Sequence, residues 1–314
     1  MRTTPLLLLA YNRPDKVRRL IDRLRLQGHP TIMVAVDGPK PGNEADAARV
    51  QAVRDAVAEI DWTADVETLF RPVNLGLRLA VAGAVTWAVQ KHGEVIVLEE
   101  DVLPGDLFVP YATHMLERFR DDARIAHISG YNIVPPAEFS SSAGSRLTHY
   151  PESVAWATWE RSWAHFDDSM AWGSTVPVAE LAKTTGSRIS ALRWKQNFRD
   201  AATNRIGTWA YRWIASMWSR GDLILSPNHN LVTYAGYDEG TNSVLKAPWD
   251  ELPLYEGSLA DLDDAEIEFD PKAETWTSRV VFGGTLVGVT KGFLVSRILD
   301  ARKAMRTRRS RRAS

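Results

Sequence analysis

The chain contains no cysteine, so disulfide bonds, thiolate nucleophiles and thiolate metal ligands are excluded. A lack of disulfides is typical of a reducing compartment, and we expect a cytoplasmic location. Near the start there is also no long apolar run, because Leu6 to Leu9 are too few for a signal-peptide core or a membrane span. We interpret these leucines as a buried strand.

Net charge is nearly absent, at −1 over 314 residues, but the charges are segregated along the chain. Residues 250–270 contain nine acids and no base, whereas residues 291–312 contain nine bases and one acid. The basic tail follows an apolar stripe with helical spacing, formed by Phe282, Leu286, Val289 and Phe293. This pattern predicts either an amphipathic helix on an anionic membrane surface or a C-terminal helix packed on the domain. Nucleic acid is disfavoured, because no aromatic or glycine-rich recognition pattern accompanies the arginines.

Hydrophobic periodicity predicts alternating strands and helices up to about Gly130. The predicted strands are Pro5 to Ala10, Thr31 to Val36, Asp65 to Phe70, Val95 to Leu98 and Ile125 to Ser129. The predicted helices are Lys16 to Leu26, Ala45 to Ile60, Leu77 to Val89 and Leu107 to Phe119. Repeated strand–helix units imply an α/β fold with a doubly wound, mostly parallel sheet and helices on both faces.

Tryptophan is concentrated in the second half of the chain, where eight of twelve fall between Trp156 and Trp218. An indole buries a large area and usually needs only one hydrogen-bond partner. We therefore assign most of these tryptophans to core packing, and one or two to a platform for a sugar or another flat apolar face.

The predicted strand Val95 to Leu98 ends abruptly in three carboxylates, Glu99, Glu100 and Asp101. A core does not tolerate that many unpaired acids, so this strand end must face solvent or a cation. In open α/β sheets the ligand crevice lies beyond the carboxyl ends of the strands, and oxygen ligands there suit Mg²⁺ or Mn²⁺. The pattern therefore predicts a metal-bound nucleotide.

Four motifs follow one another in the order expected of a glycosyltransferase with the GT-A fold. They are Leu8-Leu9-Ala10-Tyr11-Asn12-Arg13-Pro14, Val36-Asp37-Gly38-Pro39, Asn74-Leu75-Gly76-Leu77 and Val97-Leu98-Glu99-Glu100-Asp101. The second half adds the stretches Ala155 to Trp163, Gly207 to Trp213 and Ser226 to Val232. Over roughly Pro5 to Ser243, the chain resembles bacterial family-two-type sugar transferases and is distantly similar to N-acetylglucosaminyltransferase I.

The resemblance implies that a sugar is moved from a nucleotide-diphosphate sugar, with a UDP-sugar favoured, to a glycan, lipid-linked or small-molecule acceptor. Inversion at the sugar and a need for Mn²⁺ or Mg²⁺ are expected, as is a cytoplasmic location, peripheral at the inner face of the membrane. On this view residues 1–130 form a nucleotide-sugar-binding half, 131–245 an acceptor-side half of the same domain, and 246–314 an acidic segment with a basic C-terminal helix and tail.

The resemblance also assigns donor-binding and metal-binding side chains to the ends of the strands. The donor-facing residues are Tyr11, Arg13, Asp37, Asn74 and Arg78, and the metal ligand is Asp101, with Glu99 and Glu100 in support. Tyr11 and Arg13 are expected to face the nucleotide base and phosphates, and Asp37 the base imide. Arg78 has the guanidinium geometry that grips phosphate oxygens through two nitrogens.

Two positions depart from the family pattern. Ala210 stands where relatives tend to carry the Asp that deprotonates the acceptor hydroxyl, and Asn242 stands near where relatives often have His. A methyl group cannot act as a base. Either another acid supplies the base, with Asp238 and Glu239 as first candidates and Glu160 next, or the protein is a degenerate, non-catalytic nucleotide-sugar or glycan-binding protein. Asp167-Asp168 could also serve as the base, but acid pairs after a Trp-rich helix are more often caps or solvated turns. A nucleotidyltransferase is disfavoured, because the first loop, residues 11–14, contains no glycine.

Overall fold

The computed structural model of the chain describes residues 4–63, 65–234, 252–295 and 297. The positions Asp238, Glu239 and Asn242 lie outside these ranges. Their roles therefore stay predictions.

The described residues form strands and short to medium helices in alternation. The strands are β1 (Leu6–Ala10), β2 (Thr31–Val36), β3 (Asp65–Phe70), β4 (Glu94–Glu99), β5 (Val102–Pro104), β6 (Ile125–Ser129), β7 (Ser145–Thr148), β8 (Ala155–Trp159), β9 (Leu223–Pro227) and β10 (Val232–Tyr234). The helices are α1 (Pro14–Gln27), α2 (Glu44–Ala58), α3 (Gly76–His92), α4 (Phe108–Arg118), α5 (Glu160–Trp163), α6 (Ala171–Thr175), α7 (Val178–Thr185), α8 (Arg188–Ala202), α9 (Ala210–Arg220) and α10 (Pro271–Trp276).

Up to Ser129 the strands and helices lie where the hydrophobic pattern predicts them. β2, β3 and β6 have the predicted bounds, and α1 begins at Pro14, whose fixed φ suits the first helical position. α1 ends before Gly28, which adopts φ +64° in the left-handed region that favours glycine. The short strand β5 was not predicted, because only its antiparallel pairing with β10 defines it.

Eight of the described strands form one sheet, in the order β3-β2-β1-β4-β8-β6-β9-β7. β1 to β4 are parallel, whereas β8 lies antiparallel between β4 and β6. The predicted α/β fold with a mostly parallel sheet is therefore confirmed. Because β7, β8 and β9 come from the Trp-rich half, both predicted halves contribute to the same sheet.

Hydrophobic cores lie on both faces of this sheet, because successive strand residues point to opposite sides. Leu6 and Leu8 of β1 face the core that α1, α2 and α4 cover. Leu7 and Leu9 face the other core, which α3, α8 and α9 cover. A strand buried on both faces explains the unbroken run of leucines that the sequence shows.

The second core is rich in indoles. Seven of the eight clustered tryptophans are at most 4% exposed: Trp156, Trp159, Trp163, Trp194, Trp209, Trp213 and Trp218. Trp159 packs in the first core, whereas the other six lie in the second core and contact one another or neighbouring rings, as in the 4.6 Å approach of the Trp194 and Trp218 ring centroids. The prediction of core packing is confirmed for these seven residues.

His127 is a titratable group enclosed by this aromatic core. Its ring stacks on Trp156, with centroids 4.9 Å apart, and its Nδ1 accepts a hydrogen bond from Trp213 Nε1 at 3.2 Å. Since an indole N–H can only donate, Nε2 of His127 must carry the proton that it shares with the carbonyl of Glu152. Burial lowers the pKa of His127 to about 3.

We predict that His127 makes the fold acid-sensitive. The unfolded chain takes up a proton at His127 near pH 6.5, whereas the folded chain does so only near pH 3, so stability falls as pH drops through this window. His127→Leu should cost about 1–3 kcal/mol at pH 8, because Trp213 loses its acceptor, and the difference from the native protein should shrink towards pH 4. Thermal unfolding between pH 4 and 8 measures this, and parallel curves for the two proteins would show that His127 does not titrate as described.

Candidate active site at the carboxyl edge of the sheet

The strand order places a ligand crevice between β1 and β4. The chain winds outward from β1 to β2 and β3, and then returns to place β4 on the other side of β1. Such a reversal separates the loops that follow the two central strands, and ligands of open α/β sheets bind there. The loop after β1 carries Tyr11 and Arg13, and the turn after β4 carries Glu100 and Asp101. The structure therefore brings these four predicted site residues together.

Arg13 joins the two sides of the crevice. Its guanidinium contacts Asp101 Oδ2 at 3.1 Å and Glu100 Oε1 at 3.6 Å. The Tyr11 amide donates to the other oxygen of Glu100 at 2.8 Å. All three charged side chains are less than one fifth exposed, so these ion pairs lie in a poorly solvated place.

One fixed cation does not neutralise three acids, and the pKa values show the deficit. Burial, and then the charges of Asp101 and Glu100, raise the pKa of Glu99 to about 8. Burial raises the pKa of Glu100 to about 7, although the Tyr11 amide and Arg13 oppose the change. Near neutral pH this cluster therefore retains protons that a bound cation would displace.

The turn at Glu100 and Asp101, which we call the acid turn, has one carboxylate oxygen that could bind a metal ion. Asp101 Oδ1 is buried and accepts no hydrogen bond, whereas Oδ2 of the same carboxylate contacts Arg13. Within the described ranges, no three His, Asp or Glu side chains converge as a metal site by themselves. Mg²⁺ is commonly held by one or two carboxylates together with substrate phosphates, so the donor set fits a metal that a diphosphate helps to bind.

The loop after β1 is held by Asp46, a residue of α2 that the sequence did not point to. Asp46 is buried, and its carboxylate accepts hydrogen bonds from the Tyr11 hydroxyl and Asn12 Nδ2, each at 2.6 Å, and from the Lys40 amide. Burial alone would raise the pKa of Asp46, but these hydrogen bonds outweigh it and lower the pKa. The Tyr11 hydroxyl is thus committed to the loop, and the face of its ring is what remains for a ligand.

Asp37, at the end of β2, organises the entry to α3. Its two carboxylate oxygens accept four hydrogen bonds of 2.9–3.0 Å, from the amides of Gly38, Leu75 and Gly76 and from Asn74 Nδ2. A carboxylate has about four acceptor positions, so all are used. In this structure Asp37 therefore has a structural role, which Asn74 shares, and its contact with a base imide stays a prediction. At Gly38 a Cβ would lie 2.4 Å from the Val73 backbone, which explains why glycine follows Asp37.

Arg78, in the first turn of α3, links the two halves of the chain. It forms an ion pair with Asp168, whose Oδ1 lies 3.1 Å from Nε of Arg212 on α9. Arg212 is only 2% exposed, and burial lowers its pKa. The neighbouring Asp167 accepts hydrogen bonds from the amides of Ser169 and Ala171, which is the local cap expected of such an acid pair. Asp168 instead bridges two arginines distant in sequence, which no local pattern reveals.

The acceptor-side predictions divide into three outcomes. Ala210 begins α9 and is partly exposed, and it is followed at the second position by Arg212. Glu160 follows β8, and Trp159 pairs with Glu94 at the start of β4, so Glu160 lies at the opposite edge of the sheet. β4 spans roughly 16 Å between Glu94 and Glu99, which removes Glu160 from the candidates for the base. Asp238 and Glu239 lie outside the described residues.

Comparisons with known proteins add two remote structural likenesses. No protein-family model and no curated protein matches the chain. Among solved structures it is similar to the galactosyltransferase LgtC in complex with donor and acceptor sugar analogs, at 14% identity and a TM-score of 0.33, over 54% of this chain and 63% of that one. It is also similar to apo mouse xyloside xylosyltransferase 1, at 11% identity and a TM-score of 0.32, over 69% and 82% of the two chains. At this level of likeness, function has to be argued from the site itself.

We predict that Glu99→Gln stabilises the protein at neutral and alkaline pH. Between about pH 4.5 and 8 the unfolded chain has ionised Glu99 while the folded chain keeps it protonated, so native stability falls as pH rises through this window. Glutamine mimics the neutral acid, so its Tm advantage should be absent near pH 4.5 and reach a few degrees by pH 8, at roughly 2–4 °C for each kcal/mol. The control is Glu160→Gln, an exposed acid at the opposite edge. A pH-independent difference for Glu99→Gln would contradict the prediction.

Proposed function

We propose that this protein is a glycosyltransferase that moves a sugar from a nucleotide-diphosphate donor to a hydroxyl acceptor with inversion. The observation that carries the proposal is the acid turn at the crevice between β1 and β4, where Asp101 keeps a buried oxygen without a hydrogen-bond partner. The sequence motifs that resemble those of GT-A glycosyltransferases lie at this same edge, which supports the proposal. A UDP-sugar is the favoured donor, and a glycan or lipid-linked hydroxyl compound the favoured acceptor.

The N-terminus of α1 supports binding of the donor diphosphate. α1 and α3 both begin at the carboxyl edge of the sheet, but the Leu75 and Gly76 amides at the start of α3 already donate to Asp37, whereas no side chain caps the first amides of α1. The partial positive charge of a helix N-terminus favours an anion. Arg13 and Arg78 stand at these two helix starts; the Asp168 carboxylate on Arg78 is one that a diphosphate can replace, whereas Arg13 keeps its contact with Asp101. Both arginines are therefore proposed to contact the phosphates.

Mn²⁺ or Mg²⁺ is the proposed cofactor, with Asp101 as its protein ligand and Glu99 and Glu100 as supporting acids. When bound, the cation would neutralise the negative charge that develops on the departing nucleoside diphosphate. The residues of this chain prepare the place: Arg13 fixes one oxygen of Asp101, and the Tyr11 amide fixes Glu100. The other oxygen of Asp101 is then presented in one orientation.

Asp238 and Glu239 are the proposed bases for the acceptor hydroxyl. β10 pairs Tyr234 with Val102, the residue directly after Asp101. Asp238 and Glu239 follow Tyr234 by four and five residues along the chain, and they lie outside the described residues. We propose that one of them removes the acceptor proton, and that the protein works at the cytoplasmic face of the membrane.

A second candidate function is suggested by Ala210. Ala210 is the first residue of α9 and precedes Arg212, which contacts Asp168, by two positions. The acid that relatives tend to carry at this position is therefore missing at the start of α9. A protein that binds a nucleotide sugar without transferring it would tolerate this substitution. The two functions differ in turnover and not in donor binding.

We predict that nucleotide sugars raise the Tm of the protein in the presence of Mn²⁺. At a ligand concentration of about 100 Kd the stabilisation amounts to about 2.7 kcal/mol, which a thermal-shift screen of UDP, GDP and dTDP sugars detects. Asp101→Asn should remove the Mn²⁺-dependent part of the Tm increase, because an uncharged amide replaces the carboxylate whose free oxygen would bind the metal. Asp61→Asn is the control, since Asp61 precedes β3 at the opposite edge and its side chain is 72% exposed. Full Mn²⁺ dependence in Asp101→Asn would exclude Asp101 as the ligand.

We predict that Asp238→Asn or Glu239→Gln lowers turnover by about a hundred- to ten-thousand-fold while the Kd for the donor stays unchanged. Steady-state transfer, or donor hydrolysis where no acceptor is known, measures the first quantity, and calorimetry the second.

Normal turnover by both variants would place the base elsewhere in the chain. Where the natural protein instead shows almost no turnover, Ala210→Asp becomes the decisive variant, because an acid in the first turn of α9 is compatible with the helix dipole and should not disturb folding. If this change raises activity from nearly nothing, the natural protein is the binding protein of the second candidate function.

A further inference from the structure

The last described helix, over residues 286–295, has an apolar face turned to solvent. We call this face the C-terminal apolar face. Its members and their exposed fractions are Leu286 70%, Val287 63%, Phe293 46%, Leu294 56% and Val295 55%. Isolated exposed leucines are ordinary in soluble proteins, but five large apolar side chains on ten residues form a patch of the kind that marks an interaction surface.

The opposite side of the same helix packs on α8 through glycines and polar groups. A Cβ at Gly292 would lie 2.3 Å from an Arg193 guanidinium nitrogen, so a larger residue would have to displace the end of the Arg193 side chain. Gln196 Nε2 donates to the carbonyl of Val289 at 3.2 Å, and Arg193 Nε donates to the carbonyl of Phe282, just before the helix, at 3.3 Å. A surface helix of a soluble protein normally turns its apolar side inward. Here the polar contacts are inward and the apolar side chains outward.

The length of the helix determines how it can meet a bilayer. By length and composition alone, the segment Pro271–Val295 is long and apolar enough to cross a membrane. Its first part, however, belongs to the domain, because Thr277 and Ser278 are buried and the Ser278 hydroxyl contacts Ser190 of α8 at 2.8 Å. The ten described residues that follow, 286–295, rise about 15 Å, half of a hydrocarbon core. This described part of the helix can therefore lie in the plane of a lipid–water interface and is too short by itself to span a bilayer.

Positive charge accompanies the apolar face. Lys291 and Arg297 belong to the helical stretch, and residues 298–312 add seven bases and a single acid, Asp300. Apolar side chains beside a cluster of bases are the two features that bind a helix to anionic lipid. We propose that the C-terminal apolar face and the bases beside and after it dock this protein on an anionic lipid surface, with the helix in the plane of the interface. This proposal defines the surface behind the membrane location given above, and it holds whether or not the protein transfers a sugar.

Because the chain lacks cysteine, one introduced thiol reports on this face alone. Full-length Leu294→Cys, labelled with a polarity-sensitive fluorophore, should show brighter, blue-shifted emission with vesicles of phosphatidylcholine and phosphatidylglycerol. The matched control is Leu26→Cys, since Leu26 is 81% exposed at the end of α1. Its emission should not change. No change at position 294, or an equal change at both positions, would overturn the proposal.

Vesicle sedimentation of unlabelled protein tests the energetics. Leu286→Ser and Leu294→Ser should each lower the partition coefficient about tenfold, while Leu26→Ser leaves it unchanged. Binding should weaken on pure phosphatidylcholine vesicles and at high salt. Equal binding by native protein and both variants would refute the role of the apolar face, and binding indifferent to lipid charge would refute the role of the bases.

If sedimentation equilibrium shows a dimer that Leu294→Ser dissociates, a second copy covers the face and the lipid proposal is wrong. Donor binding and turnover are measured separately, so failure here leaves the proposed function intact.

Discussion

The contact of Arg13 with Glu100 and Asp101 is the interaction on which the candidate site depends. The chain places three acids at the end of a fully buried strand, and burying charge is costly unless it is paired. Arg13 contributes one positive charge from the neighbouring strand end. The raised pKa values of Glu99 and Glu100 show that this charge does not balance the burial and mutual repulsion of the acids. The acids in the crevice between β1 and β4 thus carry more negative charge than Arg13 neutralises. This excess is the property expected of a site that binds a metal together with a diphosphate.

Two other acids beside the crevice, Asp37 and Asp46, are already satisfied by hydrogen bonds, and this separates support from function. Asp37 and Asp46 are both buried, and both accept several hydrogen bonds from the loops that they hold. Each fixes a loop after a strand, so that Tyr11 and the start of α3 are positioned before any ligand arrives. Asp101 differs from them because one of its oxygens has no donor. The unsatisfied acid is the one to which chemistry is assigned.

The two halves of the chain meet through the shared sheet and through Asp168. β8 lies between β4 and β6, so the Trp-rich half cannot separate from the first half without breaking the sheet. The bridge from Arg78 through Asp168 to Arg212 then ties the start of α3 to α9. A donor that attracts Arg78 would loosen this bridge, which links donor binding to the side where Ala210 lies. The C-terminal apolar face is also carried by this half, through α8, so a membrane contact would orient the acceptor side of the crevice.

Much of the fold was decided by the sequence itself. The alternation of apolar strands and amphipathic helices up to Ser129 predicted every strand and helix of the first half except β5, because local periodicity and turn residues specify them. The acids at 99–101 predicted a charged strand end, because no core accommodates three unpaired carboxylates. The clustered tryptophans, too, were identified as core from their size alone.

Partners distant in sequence were decided only by the tertiary structure. The sequence shows that Asp37, Asn74 and Glu160 are polar, but not that the first two satisfy each other or that the antiparallel pairing of β8 carries the third to the far edge of the sheet. The roles of Asp46 and Asp168 were equally hidden, since each acts through groups that only folding brings near. The C-terminal helix makes the same point, because the sequence gives its apolar stripe while packing of Gly292 on Arg193 decides which side faces outward. Spacing along the chain determines which residues share an element, whereas hydrogen bonds and ion pairs depend on distances in space that spacing does not contain.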